Sequence, residues 1–259
     1  MVGRRLKAGD RHRLYEAAVQ TPEVEVELLG RAYQERFGAP ALSLREDFCG
    51  TALLAKTWVE SDDDRIAWGI DLDPEVLAYG RRHHIGPLDE DESDRIELRA
   101  ADARTRSERT FDVITAGNFS WALFDDDALG EYLTSAHDCL EDRGLLALEI
   151  FGGADLRRPL VHEHPKDGFD YLWEQVSYDE ETRRLEASIH FRLADGTMVR
   201  DAFRYSFEVR DWNETRALVT AAGFSVVELW VERDGGGFAR KSEEPAAAAW
   251  SGYVMAFTR

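Results

Sequence analysis

The first two-thirds of this chain alternate short apolar runs with amphipathic helical stretches. This alternation is typical of a parallel sheet, because each parallel strand needs a crossover helix before the next strand. The apolar runs predict five strands, at residues 41–48, 66–72, 96–100, 111–117 and 144–151. The intervening stretches predict helices at residues 52–59, 74–83 and 127–140. The sequence therefore predicts an α/β fold with a Rossmann-like, doubly wound sheet.

The rhythm changes to a period of two after Gly153. Apolar side chains occupy every second position from Leu185 to Leu193, and the following Asp195-Gly196 is a strong hairpin-turn signal. Together with alternating runs at 171–178 and 203–209, this pattern predicts a small antiparallel lid inserted before the last helix. A final helix is predicted at 213–222 and is followed by a strand at 224–231, a loop at 234–251 and a closing strand at 253–257.

These elements predict one domain that spans residues 1–259, built on a mostly parallel seven-stranded sheet. Helices near residues 14–36 could complete the lid. The predicted parts are an N-terminal helical cap, a cofactor-binding core, an antiparallel lid insertion and a closing segment, at 1–40, 41–153, 154–210 and 211–259.

The chain carries a formal net charge of −19, which repels phosphate backbones and anionic membrane surfaces. We therefore expect a small-molecule substrate, with neither nucleic acid nor membrane as a partner; the oligomeric state is left open. No apolar run reaches the roughly 18 residues of a membrane span, and the first twenty residues lack the apolar region of a signal peptide, so a cytoplasmic protein is expected. Cys49 and Cys139 form no metal-binding or disulfide pattern, and no metal site is predicted.

Acidic residues follow successive predicted strands, at the edge where open parallel sheets bind ligands. Asp71 ends the second strand, where a carboxylate can accept both hydrogen bonds of a ribose diol. Asp73 precedes Pro74 and is predicted to cap the second helix. Asp102 follows the third strand, where an adenine amino group would meet an acceptor. Each carboxylate alone is also compatible with a solvated loop charge, and their joint placement favours a nucleoside site.

The segment from Arg45 to Gly153 resembles the class I S-adenosylmethionine-dependent methyltransferase family. Its first turn, Arg-Glu-Asp-Phe-Cys-Gly-Thr-Ala at 45–52, resembles that of a poorly characterised bacterial and plant subgroup, as do Tyr15, Val19-Gln20 and the Asn-Phe-Ser-Trp run at 118–121. The resemblance implies that the cofactor is S-adenosylmethionine. By position, Glu46 and Gly50 match its methionine end, Asp71 its ribose, Leu72 its adenine ring and Asp102 its amino group. The candidate cofactor-binding residues are Arg45, Glu46, Phe48, Gly50, Asp71, Leu72, Asp102, Ala103 and Asn118.

Two features of the first turn depart from simple expectation. Phe48 and Ala52 stand where glycines are common in the family, which leaves Gly50 as the only glycine of the turn. Arg45 either pairs with the methionine carboxylate or forms an internal ion pair with Asp47 or Glu46.

The dinucleotide fingerprint G-x-G-x-x-G is absent, which disfavours a nicotinamide cofactor. A sulfonium nucleoside has no phosphate to bind, so one glycine is compatible with it.

Residues 118–121 follow the fourth core strand and are expected beside the cofactor's sulfur. Asn118 could orient a nucleophile, while Trp121 could line the substrate pocket or pack in the core. Tyr171 and Trp173 of the lid are further lining candidates, and Tyr15, Trp121 and Trp173 are the candidate substrate residues. The catalytic candidates are Tyr15, Asn118 and His190.

A general base is optional for methyl transfer, because positioning and water exclusion can supply most of the rate. Besides Tyr15 and His190, either His162 or His164 could serve as a base. The alternative interpretations are a solvent-exposed His190 and a loop that contains His162 and His164. The predicted function is S-adenosylmethionine-dependent methyl transfer to the N or O atom of a small molecule. The rival interpretations are a protein that binds the cofactor without transferring methyl groups, and a nicotinamide oxidoreductase.

Overall fold

The computed structural model describes residues 8–259. The first seven residues of the predicted cap lie outside the described residues. Two helices, α1 (Ala8–Val19) and α2 (Pro22–Phe37), form the described part of the cap. Pro22 begins α2 at a position that tolerates its missing N–H, and Gly38 ends it with a left-handed φ of 69°.

The core follows the predicted order of strands and helices closely. It comprises β1 (Ser43–Asp47), α3 (Leu53–Glu60), β2 (Ile66–Asp71), α4 (Pro74–Gly80), α5 (Glu90–Asp94), β3 (Ile96–Ala100), β4 (Phe111–Ala116), α6 (Asp126–Asp138) and β5 (Leu140–Gly152). Helix α4 continues into a π-helical turn at Arg81–Ile85. Strand β5 begins four residues earlier than its apolar run, because Leu140 already pairs with Phe111 before a bulge.

The second part of the chain contains two strands that the sequence analysis assigned to loops. Its elements are β6 (Leu160–Lys166), β7 (Phe169–Asp179), β8 (Arg184–Leu193), β9 (Met198–Glu208), α7 (Trp212–Ala221), β10 (Val226–Glu232), β11 (Phe238–Lys241) and β12 (Trp250–Phe257). Strand β6 contains His162 and His164, and β11 lies within the predicted loop 234–251. Both are edge strands with mostly exposed side chains, so they lack the buried, alternating pattern that reveals a strand in sequence.

The central sheet has eight strands in the order β11-β10-β12-β5-β4-β1-β2-β3. The predicted number of seven is therefore wrong by one strand, β11, while the α/β class and the mostly parallel core are confirmed. Strand β1 pairs in parallel with β2 on one side and with β4 on the other. The chain thus winds away from β1 in both directions, and a crevice opens at the carboxyl end of β1.

A separate four-stranded antiparallel sheet, in the order β6-β7-β8-β9, forms the lid. Its apolar face packs on α1, where Leu14 and Ala18 join Phe169, Ile189 and Phe191 in one cluster. A second cluster joins the lid to the residues that follow β4 and β5. The lid and α1 therefore cover the carboxyl edge of the central sheet. No helix within residues 8–259 is long and apolar enough to cross a membrane.

The packing of α4 on the turn after β1 predicts opposite effects for two helical glycines. A Cβ at Gly80 would overlap the backbone carbonyl of Thr51, whereas a Cβ at Gly130 in α6 would meet no atom within 4 Å. We expect Gly80→Ala to lower the free energy of unfolding by about 1 to 3 kcal/mol. Gly130→Ala should raise it by up to about 1 kcal/mol. Urea unfolding of both variants measures this, and equal stability of the two variants would contradict the close packing of α4.

Candidate active site

Two cavities adjoin at the carboxyl edge of the central sheet. The first, of about 520 Å³, lies between the ends of β1, β2 and β4 and the helices α1 and α2. The second, of about 310 Å³, lies between the ends of β4 and β5 and the lid. Tyr15, Asn118 and Tyr205 line both cavities. The first cavity lies where the sequence predicts the nucleoside site, and the second lies where it predicts the substrate.

The turn after β1 keeps a glycine-like backbone with a single glycine. Gly50 has a φ of 54°, and Phe48 and Ala52 adopt the same left-handed region at 56° and 59°. Non-glycine residues enter this region at a cost of roughly 1 kcal/mol or more, and they cluster at functional sites. Asn118 and Phe119 repeat the feature after β4, at 51° and 58°. The surrounding structure thus imposes on Phe48 and Ala52 the conformation that glycine would adopt freely.

Asp71 ties the first two strand-end loops together. One carboxylate oxygen accepts a hydrogen bond from the backbone N–H of Gly50 at 2.8 Å, and the other accepts from the N–H of Asp73 at 2.9 Å. Each oxygen keeps a further lone pair. The side chain of Asp73 accepts from the N–H of Glu75 at 2.8 Å and caps α4, as the Asp-Pro pair predicts. Leu72 projects beside them with 69% of its surface exposed, at the margin of the first cavity.

Arg45 does not line either cavity. Its guanidinium is fully buried, with Nε 2.7 Å from a carboxylate oxygen of Asp47, whose other oxygen accepts from the hydroxyl of Tyr132 at 3.1 Å. Of the two alternatives, the structure contains the internal pair. Arg45 also donates to the carbonyl oxygen of Ala103 at 2.6 Å, so Ala103 lies behind β1 and not at the cavity.

Asp102 is engaged by a neighbour and does not line the first cavity. Its carboxylate lies 2.7 Å from the guanidinium of Arg104 and accepts the N–H of Arg104 at 2.9 Å. The hydrogen bond from the Arg104 side chain holds the pKa of Asp102 below its usual value. The predicted adenine contact therefore has no support from the arrangement of this loop. The sequence signal for the ion pair between Asp102 and Arg104 was the arginine two positions after the aspartate.

Several polar groups that sequence reasoning missed line the first cavity. Arg11 on α1 is the only Lys or Arg among its lining residues in the part of the chain that the structure describes. Its Nε, the Oε1 of Gln20 and the Oγ1 of Thr51 are buried without a hydrogen-bond partner among residues 8–259. Leaving such groups unpaired costs about 1 to 3 kcal/mol each, so a ligand that pairs with them gains affinity. Gln20 and Thr51 belong to the motifs that carry the family resemblance, whereas no motif distinguishes Arg11 on α1 from an ordinary polar position.

Three carboxylates converge near the junction of the cavities. Burial raises the pKa of Glu46 well above its usual range, although the carboxylate accepts the N–H of Ala55 at 2.9 Å. Burial also raises the pKa of Glu25 to about 7 and that of Glu149 to about 8. A Cβ added at Gly117 would lie 3.8 Å from Oε2 of Glu149 and 4.0 Å from Oε2 of Glu25. These two carboxylates therefore border the same gap, Glu25 in the first cavity and Glu149 in the second.

The second cavity has mostly aromatic walls. Tyr171 and Trp173 line it, as predicted for the lid, and His162 and His164 reach it from β6. Trp121 does not: it is buried in the core against α6, and its Nε1 donates to the carbonyl oxygen of Glu149 at 2.5 Å. The packing alternative for Trp121 is therefore the one found.

Two predicted catalytic groups have a different role from the one expected. His190 is only 5% exposed and lines neither cavity; it bonds a carboxylate oxygen of Glu174 at 2.7 Å and accepts the N–H of Asp201 at 2.8 Å. The expectation of a solvent-exposed His190 is wrong, because β8 is a central lid strand whose polar face is covered. Its place outside both cavities gives no support to a catalytic role. Burial, followed by the hydroxyl of Tyr205, raises the pKa of Tyr15 well above 10. Tyr15 therefore stays neutral and can donate or accept a hydrogen bond at the junction.

Comparisons with known proteins support the fold. No protein-family model matches the chain, and no curated protein matches it. Among solved structures, an S-adenosylmethionine-dependent methyltransferase from Clostridium acetobutylicum is 18% identical with a TM-score of 0.70, over 95% of this chain and 96% of that one. CalS10, an amino pentose methyltransferase from Micromonospora echinaspora, is 17% identical with a TM-score of 0.67 over 99% of both chains.

A third structure, the sugar N-methyltransferase KedS8 from a Streptoalloteichus species, is 19% identical with a TM-score of 0.62, over 97% of this chain and 95% of that one. At such identities the likeness establishes the fold. The chain has the fold of the S-adenosylmethionine-dependent methyltransferases, as the resemblance of residues 45–153 implied.

The raised pKa of Glu149 predicts a pH-dependent effect of Glu149→Gln on stability. The folded protein keeps this proton up to about pH 8, whereas the unfolded chain loses it near 4.5. The stability that the neutral form provides is therefore lost as the pH rises through this window. Glutamine does not titrate, so the variant should match the wild type at pH 5 and exceed it at pH 9, with an upper limit near 1.4 kcal/mol per pKa unit.

Chemical unfolding at pH 5, 7 and 9 measures the difference in unfolding free energy. The control is Glu163→Gln on β6, where the carboxylate is exposed and pairs with Arg192, and this variant should not gain stability over the wild type between pH 5 and pH 9. A difference for Glu149→Gln that is constant with pH would contradict the burial of a neutral carboxyl group.

Proposed function

We propose that this chain is an S-adenosylmethionine-dependent methyltransferase that transfers a methyl group to an N or O atom of a small molecule. The observation that carries the proposal is the pair of adjoining cavities with Tyr15, Asn118 and Tyr205 in common. A nucleoside site at the switch point of the sheet and a small, covered acceptor site then meet at one junction. This arrangement suits a reaction in which the nucleophile, methyl carbon and sulfur must be nearly collinear.

The charge of the first cavity favours a sulfonium nucleoside over a dinucleotide. Five of its lining residues are acidic: Glu25, Glu46, Asp47, Asp71 and Asp73. S-adenosylmethionine carries a net positive charge and no phosphate, whereas a nicotinamide dinucleotide brings a diphosphate, for which a cavity lined by one arginine and several carboxyl groups is poorly suited. In this pose Asp71 accepts the ribose hydroxyls, and the exposed Leu72 supplies apolar surface for the adenine ring. The buried, unpaired Nε of Arg11 suits the carboxylate of the methionine moiety.

The residues of the chain would contribute mainly by positioning and by excluding water. The lid and α1 close the second cavity over the junction. Asn118, held after β4 in a left-handed conformation, presents a side-chain amide that can orient the acceptor. Tyr15 and Tyr205 both lie there, and burial raises the pKa of each hydroxyl, so both stay neutral. The amino pentose for which CalS10 is named and the sugar for which KedS8 is named support an acceptor of small size.

Calorimetric titration with S-adenosylhomocysteine, with NAD and NADP as controls, tests the cofactor first. Micromolar binding of S-adenosylhomocysteine alone is expected. Incubation of the protein with S-adenosylmethionine and small amines or alcohols should then release S-adenosylhomocysteine. Binding of a nicotinamide cofactor alone would overturn the proposal. Tight cofactor binding without turnover on any acceptor would favour the non-catalytic alternative.

Asp71 and Asp73 form a matched pair for testing the ribose assignment. We expect Asp71→Ala to weaken binding of S-adenosylhomocysteine by roughly 1.5 to 3 kcal/mol, the range for lost hydrogen bonds to a charged group. Asp73→Ala should instead lower the free energy of unfolding by about 1 kcal/mol through loss of the α4 cap, with a smaller effect on affinity. Calorimetry and urea unfolding of both variants separate these effects. Unchanged affinity in Asp71→Ala would remove the ribose assignment.

Arg11 and its exposed neighbour Arg13 form a second pair. Arg11→Gln should weaken binding of S-adenosylhomocysteine about tenfold or more, because the methionine carboxylate loses its charged partner. Binding of 5′-methylthioadenosine, which lacks that carboxylate, should change little. Arg13→Gln should leave both affinities unchanged. Equal losses for the two ligands in Arg11→Gln would show that Arg11 acts on the cavity as a whole and not on the carboxylate.

A further inference from the structure

The carboxylate of Glu149 lies at the boundary between the two cavities. Its side chain extends from β5 into the second cavity, and the backbone N–H of Asn118 is its one hydrogen-bond donor among the described residues. Asn118 itself lines both cavities. Oε2 of Glu149 also borders the gap left by Gly117, which lines the first cavity. This carboxylate is therefore the acidic group of the second cavity that lies beside the cofactor site.

The remaining walls of the second cavity fit a cation on an apolar scaffold. Aromatic side chains supply most of the surface: Tyr15, Phe119, Phe151, Tyr171, Trp173 and Tyr205. Rings of this kind attract a cation over their faces. No Lys or Arg within residues 8–259 lines this cavity, so no such side chain in the described chain competes for Glu149 there. The other lining carboxylate, Asp155, is already paired with Arg158 at 2.7 Å.

We propose that Glu149 binds the acceptor as an ammonium ion and takes up its proton, so that the acceptors of this site are small primary or secondary amines. The inference rests on the proposed function and deepens it by naming the acceptor atom and the base. A hydroxyl acceptor would leave Glu149 without a charged partner and would also need a much stronger base.

The proposed step balances in protons and electrons. The ammonium group transfers one proton to a carboxylate oxygen of Glu149, which frees the nitrogen lone pair. That lone pair forms a bond to the methyl carbon while the carbon–sulfur bond breaks and its electron pair stays on sulfur. The products are the methylated ammonium ion, S-adenosylhomocysteine and the protonated Glu149, which releases its proton to solvent. No oxidant, reductant or metal is needed.

The titratable groups around Glu149 are carboxylates and neutral tyrosine hydroxyls. Glu25 from α2 and Glu232 from β10 act on it as like charges, while Tyr253 from β12 and Tyr15 from α1 are neutral hydroxyls nearby. Their combined effect with burial favours the proton-holding form, which an arriving cation reverses. His162 and His164 also line this cavity, from the edge strand of the lid, and burial lowers the pKa of His164. His190 lies outside the cavity.

The test is calorimetric titration of the S-adenosylhomocysteine complex of the full chain with matched amines and alcohols. The probes are benzylamine against benzyl alcohol, and tryptamine against tryptophol, at pH 7.5. At least one amine should bind about tenfold or more tightly than its alcohol. Its binding should release protons, at most one for each bound amine, measured in buffers of different ionisation enthalpy. Glu149→Gln should abolish both the preference and the proton release, while Glu163→Gln on the lid surface should retain both.

Each outcome addresses a separate claim. If no amine binds more tightly than its alcohol, or if the preference and proton release persist in Glu149→Gln, the inference is wrong. Absence of S-adenosylhomocysteine binding to the wild type would instead contradict the proposed function. Because Glu149→Gln preserves size and is expected to be stable, its binding of S-adenosylhomocysteine confirms an intact first cavity in the same experiment.

Discussion

The position of β1 between β2 and β4 is the constraint on which the rest of this structure depends. All five residues of β1 are buried, so the strand must bury the charges of Arg45 and Asp47, which it does by pairing them with each other and with Tyr132. A buried pair of this kind contributes little net stability, but removing one partner leaves an uncompensated charge. The turn that follows is thereby held rigidly enough to keep Phe48 and Ala52 in left-handed conformations. The crevice beside it is the first cavity.

Helix α1 links this crevice to the lid. Arg11 and Tyr15, four residues apart, lie on the same side of α1 and line the first cavity, and Tyr15 extends to the second. The neighbouring stripe of Leu14 and Ala18 packs on the lid sheet. One short helix thus forms part of both cavities and of the lid interface. A cofactor that pairs with Arg11 would therefore also stabilise the helix on which the lid rests.

The parallel core could be predicted from sequence because four of its five strands, β1, β2, β4 and β5, carry a run of buried residues, and Asp71 and Asp73 could be placed because they follow such a run. The edge strands β6 and β11 could not be predicted from sequence, since one face and one edge of each are solvated and no buried residue marks them. His190 shows the same limit in reverse: its polar strand face is covered by partners 11 and 16 residues away along the chain. Glu25, Arg11 and Glu149 have ordinary local contexts, and only the fold brings them to the site.

The acidic character of the site has a physical cost that a cationic ligand removes. Burial raises the pKa of Glu25, Glu46 and Glu149, and the charge of Glu25 adds to this effect at Glu46 and at Glu149. The unliganded protein therefore keeps protons on some of these groups at neutral pH. A sulfonium in the first cavity and an ammonium in the second would each favour the ionised form of the carboxylates beside them. The product S-adenosylhomocysteine lacks the sulfonium charge, and the same electrostatics would weaken its hold after transfer.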